Sequence, residues 1–339
     1  MAKSIEDIAA ELEVSVTTVR LVLLGKARQY RISSKTEQRI KEYTDRYGAD
    51  INHTARALRL KRTDSLALIV PRLSNHFFAE VAEKMEIRCR EAGLQLSISC
   101  CYDNPTTQLE LIEHFRQRKV DGLFLVPANN TIPLKAALAF QDRLVLLDRD
   151  FGFNNIPTVI TDNYSTSFAL TEKLFNFAQQ TKRLGKFLFI AGNPKMPSIG
   201  ARLDAFKHAL HQLNAEPKNI EIIQVDKNQF AEGVKAMEYY LMNEKSLPKV
   251  LITSSIPLLQ GVMQFLKSTP EGVPESLILA TFDDHSLLDF LQNPICSVRQ
   301  DYQTMINTAF EEMNKLLSGK LNPLHHTAKM AIIERNMTL

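Results

Sequence analysis

A chain of 339 residues, 45% hydrophobic and 23% charged, is too long for one ordinary domain and has the apolar content for two or three well-packed ones. No apolar run approaches the roughly 18 residues that span a bilayer. Glu6 and Asp7 stand where a secretory signal would be apolar, which points to a cytoplasmic protein with no membrane segment. The net charge of +3 conceals an asymmetry: residues 1–62 hold 13 Lys and Arg against 8 Asp and Glu, and the rest holds 28 against 30. A cationic front end is what a phosphate backbone would meet, with a plain solvated surface as the alternative from charge alone.

Ile5, Ile8, Ala9 and Leu12 share one face of a short helix that Ser4 opens. After a tight turn, Ser15 caps a second helix that turns Val19, Val22 and Leu23 inward and Val16, Thr17, Arg20 and Leu21 partly outward. Ser34-Lys35-Thr36-Glu37 has the form of a capping box for a third helix, with Ile40, Tyr43 and Tyr47 as its buried face and Gly48 as its end. Two helices about a tight turn, followed by a basic segment, form a helix-turn-helix, a device for reading duplex DNA. Ser15, Val16, Thr17 and Thr18 stand at the front of the reading helix. Val16 suits a thymine methyl and Thr17 can bond either class of base. Local helix capping is the competing role for Thr17 and Thr18. Arg20, Arg28, Tyr30 and Arg31 are candidates for phosphate contacts. Residues 1–50 are accordingly assigned to an all-α DNA-binding headpiece.

Residues 51–63 are strongly basic, with Arg56, Arg59, Lys61 and Arg62 behind a capping Asn52. A helix this short is marginal alone, so the stretch is either a hinge that folds on DNA or a plain linker.

Residues 64–339 form the core. Apolar runs of strand length at 66–70, 96–100, 122–126, 144–147, 187–191, 221–225, 250–253 and 277–281 alternate with helical stretches. The helices include 77–91, 106–118, 164–179, 201–213, 231–242 and 258–266. Such alternation builds parallel sheets covered on both faces, with ligands beyond the C-terminal ends of the strands. Cys89, Cys100, Cys101 and Cys296 lack metal-ligand spacing and read as core or near-surface residues of a reducing compartment. No GxGxxG, GxxxxGK[ST] or GxSxG motif occurs and no metal constellation surrounds the histidines, so no enzyme, cofactor or metal is expected. A transport-type sugar receptor would share this core, but it would be exported and would not begin with a DNA-reading motif.

Several groups of residues carry a resemblance. In the headpiece they are Asp7-Ile8-Ala9, Val14-Ser15, Thr18-Val19 and Gly25, and in the hinge Asn52, Ala55 and Leu58. In the core they are Val70-Pro71, Phe77-Phe78-Ala79-Glu80, Val120-Asp121-Gly122, Leu147-Asp148-Arg149, Arg202-Leu203 and Phe282-Asp283-Asp284. Together these residues resemble the lactose-repressor (LacI/GalR) family over nearly the whole chain. Thr253-Ser254-Ser255 and Leu287-Leu288-Asp289-Phe290-Leu291-Gln292 are most similar to its fructose- and sucrose-repressor subgroup.

The resemblance implies a periplasmic-binding-protein-like core of two parallel-sheet subdomains, 64–162 with 300–326 and 163–297 with 327–339, linked by three crossings. It implies a homodimer on a near-palindromic DNA operator, with a homotetramer left open. Hinge residues Asn52, Ala55, Arg56 and Leu58 would join the DNA contacts, Leu58 wedging into the minor groove unless it packs on the headpiece. In the cleft, Asp148 and Asp283 would accept sugar hydroxyls and Arg202 would offer a planar fork. Ser255 stands where many relatives use Asn, and Phe77 would stack on a sugar face. Arg149 and Arg299 would add charge suited to a sugar phosphate, unless they form ion pairs. The expected effector is fructose 1-phosphate, a neutral fructose-containing sugar the alternative, and its binding would release DNA. Among the departures from the family pattern, Leu12-Glu13 replaces Ala-Gly before Val14, so Glu13 must tolerate the turn's conformation or shift it.

Overall fold

The computed structural model describes residues 3–23, 25–50, 62–140, 143–320 and 325–338, in two compact units divided between Thr63 and Asp64. In the first unit, β1 (Lys3–Ser4) precedes α1 (Ile5–Glu11), α2 (Val16–Leu23) and α3 (Ser34–Tyr47), and β2 (Ala49–Asp50) lies parallel to β1. Ser4 and Asp7 form a reciprocal box: the Asp7 N–H donates to Ser4 Oγ at 3.0 Å and the Ser4 N–H to the Asp7 carboxylate at 3.2 Å. Ile8, Val19, Val22, Ala27 and Ile40 close a small core.

Three readings of this unit need correction or completion. The cap of α3 is Ser33, not Ser34: the Thr36 N–H donates to Ser33 Oγ at 3.2 Å, and Glu37 pairs with Lys41 instead. Tyr47 is 46% exposed, because the core closes at Ile40 and Tyr43 while the last turn of α3 runs past it. Glu13 itself takes the left-handed conformation, at φ 52°, where the family's glycine would carry no Cβ penalty. The hinge assignments to Asn52, Ala55, Arg56 and Leu58 lie outside the described residues.

The second unit holds two lobes. The first runs through β3 (Ser65–Val70), α4 (His76–Glu91), β4 (Gln95–Cys100), α5 (Pro105–Gln117), β5 (Gly122–Leu125), α6 (Ile132–Phe140), β6 (Leu144–Leu147) and β7 (Thr158–Thr161). The second continues through α7 (Asn163–Gln180), β8 (Phe187–Ala191), α8 (Pro197–Gln212), β9 (Ile220–Gln224), α9 (Phe230–Glu244), β10 (Val250–Thr253), α10 (Ile256–Lys267), β11 (Ile278–Phe282) and β12 (Ile295–Gln300). The chain then returns to the first lobe with α11 (Tyr302–Leu317) and β13 (His325–Ala328), and ends in the second with β14 (Met330–Arg335).

The sheet orders correspond strand for strand: β13-β7-β6-β5-β3-β4 and β14-β12-β11-β10-β8-β9. All pairings are parallel except β12 with β14. Continuous apolar runs made the central strands easy to place, because a strand buried on both faces has no polar alternation. The crossings fall at Asp162, Asp301 and Lys329, one to three residues later than expected at the second and third. Gln300 still pairs with Met330 in the second sheet, and Thr327 and Ala328 pair with Ile160 and Thr161 in the first.

Helices α9 and α10 approach backbone to backbone: a Cβ on Gly261 would lie 2.0 Å from the Phe230 carbonyl oxygen. Cys89, Cys101 and Cys296 are buried free thiols, and burial pushes them up to about 12, 11 and 12. Among the described residues, no helix is long and apolar enough to cross a membrane.

Candidate functional site

A cavity of about 220 Å³ lies between the lobes, at the C-terminal ends of their strands. Asp148 follows β6 and Asp283 follows β11, the corresponding strands of the two sheets. Both line the cavity, both are buried, and both hold left-handed backbone at φ 64° and 71°. Non-glycine residues reach this conformation at a cost, and such strain gathers at binding sites.

Arg202, from the second turn of α8, is like Arg149 a buried cation of the site. Its Nε donates to Asn163 Oδ1 at 2.8 Å and its Nη1 to the Ser254 carbonyl at 2.7 Å, while the guanidinium lies 4.2 Å from the Phe282 ring centre. Gln300 donates to Asp283 at 3.0 Å. Burial raises the Asp148 carboxyl from its ordinary range, with Arg149 and Arg202 opposing. Burial raises Asp283 as well, against Arg202 and the Gln300 hydrogen bond. Burial lowers Arg202 against Asp283 and Asp148, but a guanidinium starts so high that it stays cationic. Phe77 offers an apolar wall at the start of α4. Arg149 Nε and Gln300 Oε1 are buried without a hydrogen-bond partner among the described residues, so capacity for a polar ligand is left open. Two buried carboxylates, an arginine fork and an aromatic wall suit a compact ligand rich in hydroxyls.

Five of the seven residues expected in the cleft thus meet there: Phe77, Asp148, Arg149, Arg202 and Asp283. Ser255 and Arg299 do not line it. Ser255 is buried at the N-terminus of α10 with its hydroxyl unbonded, and the neighbouring Ser254 holds the cleft residues Arg202 and Asn228. Strand alternation sends Arg299 to the face opposite Gln300, where it is exposed and paired with Asp284 at 2.8 Å. Arg149, expected to bring spare positive charge, is bound to Asp103 at 2.8 Å and lies 3.7 Å from Asp148.

The residues missed from sequence include Arg72, Tyr102, Asp103, Asn193 and Asp226–Gln229. All follow strands β3, β4, β8 or β9, so the strand-end rule could have found them. Two contacts bridge the lobes beside the cavity. The Arg72 guanidinium reaches the Gln229 amide, which accepts at 3.0 Å with its oxygen turned inward. The rings of His76 and His285 stand edge to face, 4.7 Å apart. His285 Nδ1 also accepts from the Leu287 N–H at 3.0 Å, and burial and then His76 lower its pKa, against Asp284.

In the headpiece, Ser15 Oγ accepts from the Thr18 N–H at 3.0 Å and lies 2.8 Å from the Thr18 hydroxyl, so these two residues cap α2. Thr17 is exposed, while Val16 is half-buried against the headpiece core. Arg28, Tyr30 and Arg31 are exposed, and Arg20 pairs with Glu6 at 3.0 Å.

The chain thus combines a helical headpiece with a two-lobed α/β core that carries a polar cleft. The periplasmic binding protein domain family matches the chain over residues 66–321. The catabolite repressor/activator of Salmonella typhimurium is 29% identical over 314 residues, covering 91% of this chain and 90% of that protein. Cra from Pseudomonas putida, solved in complex with fructose 1-phosphate, is similar with a TM-score of 0.72 and 26% identity, over 80% of this chain and 98% of that one. The lac repressor dimer bound to operator matches 100% of both chains with a TM-score of 0.83, and at 16% identity bears on the fold alone. The chain belongs to the periplasmic binding protein domain family, and its relatives mark it as a LacI-type transcriptional regulator.

Proposed function

We propose that the protein is a sugar-responsive, DNA-binding transcriptional regulator, released from its operator by fructose 1-phosphate or a related sugar phosphate. The observation that carries this reading is a cavity in which strand-end aspartates from both lobes meet two buried arginines, Arg149 and Arg202. A ligand held by both lobes favours whichever lobe arrangement grips it better, and only that difference in affinity shifts the equilibrium. A coupling of about 1–3 kcal/mol, roughly 5–150-fold in DNA affinity, is typical of such linkage.

On DNA, Val16 and Thr17 would meet base edges while Arg20, Arg28, Tyr30 and Arg31 hold phosphates; Arg20 would exchange Glu6 for a phosphate oxygen. Residues 51–63 would form the hinge, with Leu58 as the minor-groove wedge and Asn52, Ala55 and Arg56 beside it. The working form would be a homodimer in the cytoplasm, without a catalytic step. Leu287 and Phe290 are 55% and 79% exposed beside an apolar groove lined by Ile256, Leu259 and Met263, a face that suits a second copy. A neutral sugar is the second reading, favoured by the balance of Asp103, Asp148, Asp226 and Asp283 against Arg72, Arg149, Arg202 and Lys227 around the cavity.

Fluorescence anisotropy with genomic fragments tests the proposal. Fructose 1-phosphate, fructose, sucrose and ribose are each added to the preformed complex. Release by the phosphate alone supports the first reading, release by neutral sugars alone supports the second, and no selective DNA retention at moderate salt defeats both.

A further inference from the structure

Charge is distributed unevenly between the floor and the mouth of the cleft. On the buried floor each cation has carboxylates whose charge it feels. Arg202 interacts with the charges of Asp283 and Asp148 without a close ion pair among the described residues, and Arg149 is bound to Asp103 with Asp148 beside it. At the mouth stand two further cations. Arg72, half-buried just beyond β3, belongs to the first lobe; Lys227, exposed between β9 and α9, belongs to the second. Neither forms an ion pair among the described residues, and neither pairs with Asp226, which is also exposed at this rim.

Arg72 is held ready. Its guanidinium stacks 5.0 Å from the Tyr102 ring centre and reaches the Gln229 amide across the gap between the lobes. A neutral amide is a weaker partner for a guanidinium than an oxyanion, whose charge-assisted bonds are shorter and roughly twice as strong. The fork is therefore oriented and only lightly engaged.

We infer that Arg72 and Lys227 form the anion subsite of the cleft, one from each lobe, and hold the phosphate of a sugar phosphate whose hydroxyls meet Asp148, Asp283 and Arg202. The inference rests on the reading of the cleft as an effector site for a sugar phosphate, and it moves the phosphate away from Arg149, whose charge is already neutralised. It also explains how a phosphorylated ligand could act where its parent sugar acts weakly. The sugar occupies the floor, and the phosphate ties the two lips together by replacing the Arg72–Gln229 contact.

Isothermal titration of the full-length protein with fructose 1-phosphate, fructose and inorganic phosphate tests this, using wild type, Arg72→Gln, Lys227→Gln and the double variant. Both sites are at the rim, and unchanged thermal unfolding would confirm that the variants fold. The expected result is a roughly 10–100-fold loss of fructose 1-phosphate affinity in Arg72→Gln, the size of one charge-assisted hydrogen bond, a smaller loss in Lys227→Gln, and fructose binding within about two-fold of wild type. Fructose 1-phosphate affinity unchanged in the double variant overturns the subsite alone and leaves the effector reading intact. An equal loss for fructose and its phosphate also overturns it, because the two residues would then serve the cleft in general. A wild type that binds fructose at least as tightly as the phosphate, or binds neither, overturns both the subsite and the sugar-phosphate reading.

Discussion

The two lobes share one strand order and offer the cleft an aspartate from the same strand, yet they begin their helices differently. In the first lobe, Asn75, Asn104 and Asp301 cap α4, α5 and α11 with side-chain hydrogen bonds to backbone N–H groups. In the second lobe, Asp162 caps α7, but Met196, Gln229 and Ser255 at the starts of α8, α9 and α10 make no such bond. Met196 and Gln229 both line the cavity. Capping adds about 1 kcal/mol to a helix, so its absence at two cleft-facing helices is a cost borne where a ligand is met. The capped helices of the first lobe bond their own first-turn N–H groups, whereas α8 and α9 of the second have no side-chain cap on the side where a polar ligand enters.

Five substitutions sharpen or break this comparison. The largest effect is expected from Arg202→Met, which leaves the buried Asp148 and Asp283 carboxylates without the cation between them. Urea denaturation should show the core destabilised by about 3–5 kcal/mol. If the lobes contribute alike to the ligand, Asp148→Asn and Asp283→Asn should each weaken sugar binding by about 1.5–3 kcal/mol in titration calorimetry, with ligand-free DNA affinity unchanged. A loss confined to one of the two breaks the symmetry.

Gly261→Ala strikes at the second lobe alone, where α9 and α10 touch backbone to backbone. It should cost about 1–3 kcal/mol of stability by the same denaturation assay. The smallest effect concerns the histidine pair between the lobes. An unfolded His285 takes its proton near its ordinary pKa of 6.5, while the folded one takes it only at lower pH. The unfolded state then binds more protons in between, so stability is lost as pH falls through 6.5 and is present above it. His285→Asn keeps an acceptor for the Leu287 N–H and removes the titration. Its thermal unfolding should be flatter against pH on the acid side than that of the wild type.

Much of this architecture was legible in the residues, and the failures are instructive. Runs such as Leu144–Leu147, Phe187–Ala191 and Val250–Thr253 announce central strands because both faces are covered. His325–Ala328 has no apolar signal and becomes a strand only by pairing with Thr158–Thr161, some 170 residues earlier. Asp148 and Asp283 are expected in the cleft from the family resemblance together with their place after strand-like runs. The fate of Arg149 and Arg299 is not legible, because each is decided by a carboxylate, Asp103 or Asp284, that folding brings alongside. Charge can be counted along a chain, but its neutralisation depends on distances that tertiary structure creates. Arg72 shows the converse, a cation with no local mark that forms no ion pair among the described residues.

The return of the chain to the first lobe after the second has been built has a consequence for biogenesis. α11 and β13 complete the first sheet and its packing only when residue 328 has been made, and β14 completes the second by residue 335. Neither lobe can mature on the ribosome ahead of the other, although domains generally fold as they emerge. A premature stop between residues 64 and 328 would release a product with both halves unfinished, exposing apolar sheet edges to the quality-control machinery rather than leaving a usable fragment.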